Sequence, residues 1–564
     1  MSEIRQSLSA ERRESEEDKV LERAAAFFIQ DDEAISAVVR HFFPARLPTP
    51  AAEAPGETHA ASRRSPGSGG DGLGYETNRG VFRNLLQTFF SAGGSFTLVR
   101  ERYHVDPAYR DSYYNYFAGQ HFDMSRFSTR LTFFRGNWCK DDTFSFQNRK
   151  ELNDCFMGTC VIYPTEAHTL GRVLIRPEYI VKKGAPSYLR LTGYTITVFG
   201  IRIVFDAFPF QMQDRETTRC AEVTLLNLLD YFGNTYSDYR TYLPSEIIRL
   251  EQEFNPDRTL PSRGINYFTM SRLLTKCGFA PRLYGKAALQ GDRAHKRRDM
   301  QRLLHYYIES GIPVAVNVAN PDDLSSPGHS LICIGYVGKT ARSGSRPEAD
   351  DIGDGFKLVN AADYFDEYIV IDDNQMPYAS RSFDHLSIHE HLSVEYILIP
   401  LYKRMYLEAA DAYSVVSSVL RHEDYGLKKR YPAISSEEAV VVRLFLASSR
   451  TFKMFRIEHS EDQDIAYRNL YGSIPLPRFV WIAELFAARD FEAPSGKAFG
   501  EIVLDATSAT KNDIKSVIML NYPNTVSVRW PNSTIRALNK GYKYPTFALK
   551  PFPRFTGNLS IIDK

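Results

Sequence analysis

The segment Gln211 to Gly233, QMQDRETTRCAEVTLLNLLDYFG, constrains this chain more than any other stretch. Cys220 stands just before apolar residues at helical spacing, Val223, Leu225, Leu226, Leu228, Leu229 and Phe232, so the pattern predicts a core helix whose first turn carries a thiol. Thr217 or Thr218 can cap that helix and Gly233 can end it. At a helix start the unpaired N–H groups and the positive end of the dipole favour thiolate over thiol, and the same groups can stabilise an oxyanion. Taken alone, such a cysteine is more often a small buried hydrophobe. The elements that follow shift the balance toward chemistry.

Gln213 lies on the approach to the helix, where its amide can donate a second oxyanion hydrogen bond. Downstream, PSRGINYFTMSRLLTKCGF (Pro261 to Phe279) predicts a loop and a helix, and MQRLLHYYIESGIPVAVNV predicts a helix stopped at Gly311 and a strand from Pro313 to Val318. PGHSLICIGY (Pro327 to Tyr336) then places His329 at the mouth of an apolar strand. A charged insertion from Gly338 to Asp366 separates it from YIVIDDNQMPY (Tyr368 to Tyr378). A thiolate nucleophile needs an imidazole within hydrogen-bond reach, and the imidazole needs a carboxylate or amide behind it. Adjacent antiparallel strands can supply both, with His329 entering one and an aspartate leaving the other. Alternation puts Asp373 on the face of Ile369 and Ile371, and Asp372 on the opposite face, so only one of the two can orient His329. Asp373 is preferred, Asp372 is the alternative, and Asn374 is the amide substitute.

The plainer readings are these. His329 could be a satisfied core histidine, and Asp372 and Asp373 could close a turn before Pro377. His385, His389 and His391 in HLSIHEH suit a solvated loop better than a metal site, and Cys155 and Cys160 in DCFMGTC suit buried strand-flanking thiols better than zinc ligands. Cys277 and Cys333 sit in apolar patterns and are expected to be packing residues.

In the order Gln, Cys helix, second helix, Gly-x-Pro strand, His strand and Asp strand, the chain resembles the papain-like cysteine peptidase superfamily, most closely the bacterial branch that includes the double-glycine leader peptidases. YIVIDDN is also similar to the papain stretch in which an Asn orients the histidine, a register that favours Asp373. The resemblance covers about Gln211 to Pro400. It implies an α+β papain-like core, in which a helix carrying Cys220 packs on an antiparallel sheet carrying His329 and the aspartate. It further implies a hydrolase that cleaves an amide bond through a thioester without a metal or organic cofactor. Ala221 and Glu222 stand where the family commonly has a glycine, and Gln213 is one residue further from the cysteine than usual, which leaves Gln211 or a backbone N–H as substitute donors. A transglutaminase or acyltransferase with the same triad, and a papain-fold binding module without activity, are the competing expectations.

At 564 residues the chain is long enough for several domains. The expected series is an N-terminal helical segment (1–45), a flexible linker (46–75), a β-rich subdomain with a leading helix (76–210), the hydrolase domain (211–400), a helical connector (401–434) and a C-terminal α+β or β-rich domain (435–564). Lys and Arg total 69 against 68 Asp and Glu, so no net field steers the chain toward nucleic acid, and none is expected as a partner. The expected partner is a peptide or protein substrate, with the N-terminal helices or the C-terminal domain offering a surface for a protein partner. Six cysteines are too sparse for a disulfide framework, the N-terminus lacks a secretory signal, and no apolar run is long enough to span a membrane; the expected location is the cytoplasm. By analogy, the layout suits a protease of a bacterial defence or conflict system.

Overall fold

Runs of alternating and fully apolar residues fold here into largely antiparallel sheets flanked by helices, a mixed α+β architecture. The computed structural model describes residues 26–44, 70–121, 124–139, 146–181, 184–255, 257–323, 327–338, 347, 349–351, 356–427, 439–459, 465–493, 496–509, 514–523, 525–531, 533–537 and 551–563. They fall into two compact units. The first holds the described residues up to Val181 with Leu191–Leu273 and Ile371–Ala379; the second holds the remainder.

In the first unit, strands Ala26–Ile29, Phe96–His104, Ser128–Arg135, Phe156–Ile162 and Leu170–Ile175 form a five-stranded sheet in chain order, every neighbouring pair antiparallel. Helix Gly70–Gly93 sets Phe89 against Phe96 and Phe133, with ring centroids 6.1 and 5.1 Å apart. Hairpin Thr192–Val198 and Ile201–Ala207 buries Tyr194, Ile203 and Phe205 in one cluster with Val99, Phe134 and Phe156. Each such side chain contributes about 1.5–3 kcal/mol on burial, so this cluster fastens hairpin to sheet. Helix Cys220–Thr235 belongs to the same unit, with Ala221 to Leu229 all buried. Gly233 does not end it. The chain returns across the last turn so closely that a Cβ at this position would lie 2.5 Å from the Arg240 carbonyl carbon, which is why a glycine is needed inside the helix.

The second unit contains two eight-stranded sheets. The first runs Ala379–Ser382, Glu367–Ile371, His329–Val337, Val314–Ala319, Ser393–Ile399, Arg282–Gly285, and Ser187–Leu189 pairs with the end of His329–Val337 and with Ser560–Ile562. The second runs Asp350–Asp351, Lys357–Asn360, Val440–Ser448, Phe479–Ala487, Gly500–Asp505, Val517–Tyr522, Thr525–Val528, Arg536–Ala537. It is antiparallel throughout except where Lys357–Asn360 lies parallel to Val440–Ser448. Helix Arg293–Glu309, buried from Leu303 to Glu309, packs against a strand of each sheet.

Several expectations need correcting. Within the segment 1–45, residues 1–25 and Ala45 lie outside the described residues, and Ala26–Ile29 is an edge strand with Phe27 and Ile29 buried; the helix begins only at Asp32, capped by the Asp31 carboxylate. Of the linker 46–75, residues 46–69 lie outside the described residues and 70–75 open a helix. The two units also cut across the expected domain series: 211–400 contributes to both, and strand Lys357–Asn360, inside the expected charged insertion, completes the sheet built from 440–537. Among the described residues no helix is long and apolar enough to cross a membrane, and all six cysteines are free thiols.

Candidate active site

The Cys220 helix is buried on every side from Ala221 to Leu229 within the first unit, and its entrance is held by polar groups rather than by the expected threonine caps. Asp214 Oδ1 accepts the backbone N–H groups of Glu216, Thr217 and Thr218 at 2.9, 2.7 and 2.8 Å, while its other oxygen accepts the Thr217 hydroxyl. Thr217 and Thr218 are thereby committed to the turn before the helix. The N-cap is Arg219, and the cap bond comes from inside the first turn: Glu222 Oε2 accepts the Arg219 N–H at 3.3 Å. Glu222 Oε1 also accepts the Ser262 hydroxyl at 2.5 Å, Arg219 Nε donates to the Ser262 carbonyl at 3.1 Å, and the Ser262 N–H donates to the Glu216 carbonyl at 2.7 Å. Glu222, placed where the resemblance would have a glycine, thus ties the helix start to the Pro261–Gly264 segment. Burial pushes its carboxyl above the usual carboxylate range, against the Ser262 hydrogen bond, which lowers it.

Cys220 is the first residue of this helix and only partly buried, although the nine residues after it are buried throughout. The other thiols differ. Cys160 and Cys333 are fully buried in strands, and burial raises both; Cys277 is buried just past helix Tyr267–Lys276; Cys155 ends a short helix half-buried; Cys139 is exposed. Gln213 lies half-buried in the same approach segment as Asp214, and Gln211 lines a cavity beside the helix.

His329 belongs to the second unit, at the first position of strand His329–Val337, paired with Val318 and only 7% exposed. Its entry into the strand depends on Gly328: a Cβ there would sit 2.8 Å from the Val318 carbonyl oxygen. The imidazole has a second ring edge-on to it, His389, with centroids 6.0 Å apart and planes at 84°. His389 is exposed on a turn, as expected for HLSIHEH, but its neighbourhood with His329 had no signal in the sequence beyond that cluster.

Asp372 and Asp373 follow directly on strand Glu367–Ile371, which is the sheet neighbour of the His329 strand. Both are buried, at 1% and 5% exposure. Asp372 closes the strand: its oxygens accept the Asn374 N–H at 3.0 Å and Gln375 Nε2 at 2.9 Å, and its carbonyl accepts the Gln375 N–H.

Comparison with known proteins finds no family model that matches the chain and no curated protein that it matches. Function therefore rests on the residues themselves.

Proposed function

We propose that the protein is a cysteine hydrolase of papain-like type that cleaves an amide bond in a peptide or protein. Cys220 is the nucleophile, His329 the general base and acid, Asp373 the group that orients the imidazole with Asp372 as its alternative, and Gln213 with the N–H groups of the Cys220 helix start the oxyanion donors. The observation that carries this reading is the placement of a partly accessible thiol at the first position of a helix that is otherwise buried, on an entrance braced by Asp214, Glu222 and Ser262. A structural cysteine needs neither the access nor the bracing.

In the reaction the sulfur attacks the carbonyl carbon, and the proton held by the imidazole passes to the leaving amine as the C–N bond breaks. Water then gives its proton back to the imidazole, its oxygen displaces the sulfur, and the acid product leaves. The donors at the helix start stabilise the oxyanion in both steps.

Alkylation of the full chain with iodoacetamide at neutral pH, read by peptide mapping, tests the nucleophile. Cys139 is the more exposed thiol, yet burial of its sulfur raises it above the usual thiol range, so Cys220 is expected to react first. Equal or slower reaction at Cys220 removes the basis of the reading. The pairing with His329 is tested by a bifunctional alkylator, 1,3-dibromopropan-2-one, which should join Cys220 to His329 in one cross-linked peptide pair. Cys220→Ser and His329→Ala should each abolish turnover of an unfolded-protein substrate, and a labelled amine added to the assay separates hydrolysis from acyl transfer.

A further inference from the structure

The first unit carries a second polar feature, a half-open cavity, that the proposed chemistry does not use. A cavity of about 260 Å³ lies along the Cys220 helix, lined among others by Asp106, Arg172, Gln211, Asn227, Asp230 and Asn234. Its charged groups are already engaged. Arg172 Nη2 donates to both Asp230 oxygens at 3.0 Å, Asp230 also accepts Asn234 Nδ2 at 2.7 Å, and Asp106 Oδ1 accepts the Tyr109 N–H and the Tyr163 hydroxyl, each at 2.9 Å. Two groups are left over. Asn227 is 5% exposed, and among the described residues its side-chain amide has no hydrogen-bond partner; Arg172 Nε is buried without one. The Asn227 amide lines the cavity, so a ligand there replaces the water on it and must offer both a donor and an acceptor.

We propose that this cavity is a binding site for a small molecule bearing a primary carboxamide, of the size of one amino acid. A carboxamide presents a donor and an acceptor side by side in one plane, which matches the Asn227 amide in a two-bond pair. A carboxylate offers acceptors only and meets two aspartates against one arginine, and an ammonium offers donors only, so each satisfies half of Asn227. The volume lies just below the usual range for drug-sized ligand sites, which suits a molecule no larger than an amino acid. Asn227 is seven residues beyond Cys220 on the same helix, about 10 Å along its axis, so the ligand is held and not cleaved. The site stands independently of the hydrolase reading.

The test is binding to the full chain by thermal shift and ligand-observed NMR, with L-glutamine, L-asparagine, L-glutamate and L-aspartate as probes in the millimolar range. The amides should bind saturably, and each acid should bind at least about tenfold more weakly than its amide, the equivalent of one good hydrogen bond. Asn227→Leu, which removes the unpaired amide at similar volume, should fold and lose the amide response, while Cys220→Ser should keep it whether or not the enzyme reading holds. No saturable binding, as expected if only water fills the cavity, overturns the proposal, as does equal binding of amide and acid or an unchanged response in Asn227→Leu. The amide-to-acid comparison on the unaltered chain decides the matter should the Asn227 variant fail to fold.

Discussion

Buried acidic and basic side chains are used in two different ways in this molecule. At the entrance of the Cys220 helix, Asp214 and Glu222 commit their oxygens to backbone N–H groups and hydroxyls around a thiol that stays partly accessible. In the second unit, five buried charges compensate one another. Glu309 takes Arg443; Arg443 donates to Glu484 at 2.6 Å; Glu484 takes Arg456 at 2.5 Å; Arg456 donates to Glu501 at 2.9 Å; and Glu501 accepts the Tyr471 hydroxyl. This chain crosses strands Val440–Ser448, Phe479–Ala487 and Gly500–Asp505 and reaches helix Arg293–Glu309, so it links helix to sheet. Ionisation is perturbed there as well: burial penalises every member, the partners pull Glu309 and Glu484 below the usual carboxylate range and raise both arginines, and burial leaves Glu501 above it. No reactive atom of that chain reaches a surface. Perturbed ionisation alone therefore does not mark the functional region; access to a nucleophile does.

The largest effect expected on this contrast comes from Glu484→Gln, which removes the negative charge between two buried guanidinium groups. Breaking a buried pair on one side costs about 3–5 kcal/mol. Urea unfolding should show a loss of that size, with Cys220 alkylation in the native state unchanged. Cys220→Ser should do the reverse, shifting stability by less than about 1 kcal/mol while ending turnover. A loss in Glu484→Gln below that value would mean that the ionic chain is incidental to stability.

A somewhat smaller effect separates the regions by pH. His305 is buried, stacked on Phe365 with centroids 4.9 Å apart and planes at 9°, and burial pushes it down to about 4 from 6.5, against the attraction of Glu309. Its folded value is below its unfolded one, so its contribution is present above 6.5 and is lost as pH falls toward 4. The unfolded chain takes up the proton first, and the loss amounts to roughly 3 kcal/mol. His305→Phe should flatten the stability profile between pH 6.5 and 4, leaving the carboxylate-driven loss at lower pH, where Glu309 and Glu484 are protonated. An unchanged profile would place the acid sensitivity elsewhere.

These regions were not equally legible in the sequence. The Cys220 helix announces itself through its apolar residues, six of which fall between Val223 and Phe232 and are all buried. The His329 strand is equally plain. What escaped depends on partners far along the chain. AFFI at Ala26–Ile29 is too short for its period to separate strand from helix, and only pairing with Phe96–Val99 settles it. Lys357–Asn360 sits in a charged, glycine-rich tract and becomes a strand because Val440–Val442 lies beside it. Arg443, Glu484 and Glu501 occupy apolar strand patterns as single charges, and nothing local says that they compensate one another. Glu222 was visible only as a departure from a glycine, since Arg219 at the cap hides the usual Ser/Thr-x-x-Glu signature.

Glu222→Gln carries the smallest and most local expectation. Glutamine keeps one acceptor oxygen for the Arg219 N–H and its amide N–H can donate to the Ser262 hydroxyl instead of accepting from it, so a strong carboxyl–hydroxyl bond is exchanged for a weaker neutral one and the helix start loosens at a cost of about 1 kcal/mol. Because burial raises the Glu222 carboxyl, its neutral form is favoured in the folded chain. That contribution is fully present below the unfolded carboxylate value and is lost as pH rises through the folded one, whereas glutamine is neutral throughout. The stability gap between the unaltered chain and the Glu222→Gln variant should therefore narrow with rising pH, a trend opposite in sign to the one at His305, where stability is lost on acidification. Cys220 alkylation should change severalfold in the variant while Cys333 stays unreactive. A loss as large as that of Glu484→Gln, or a gap that widens with pH, would show that the helix entrance is braced in the same way as the ionic chain and would dissolve the distinction between them.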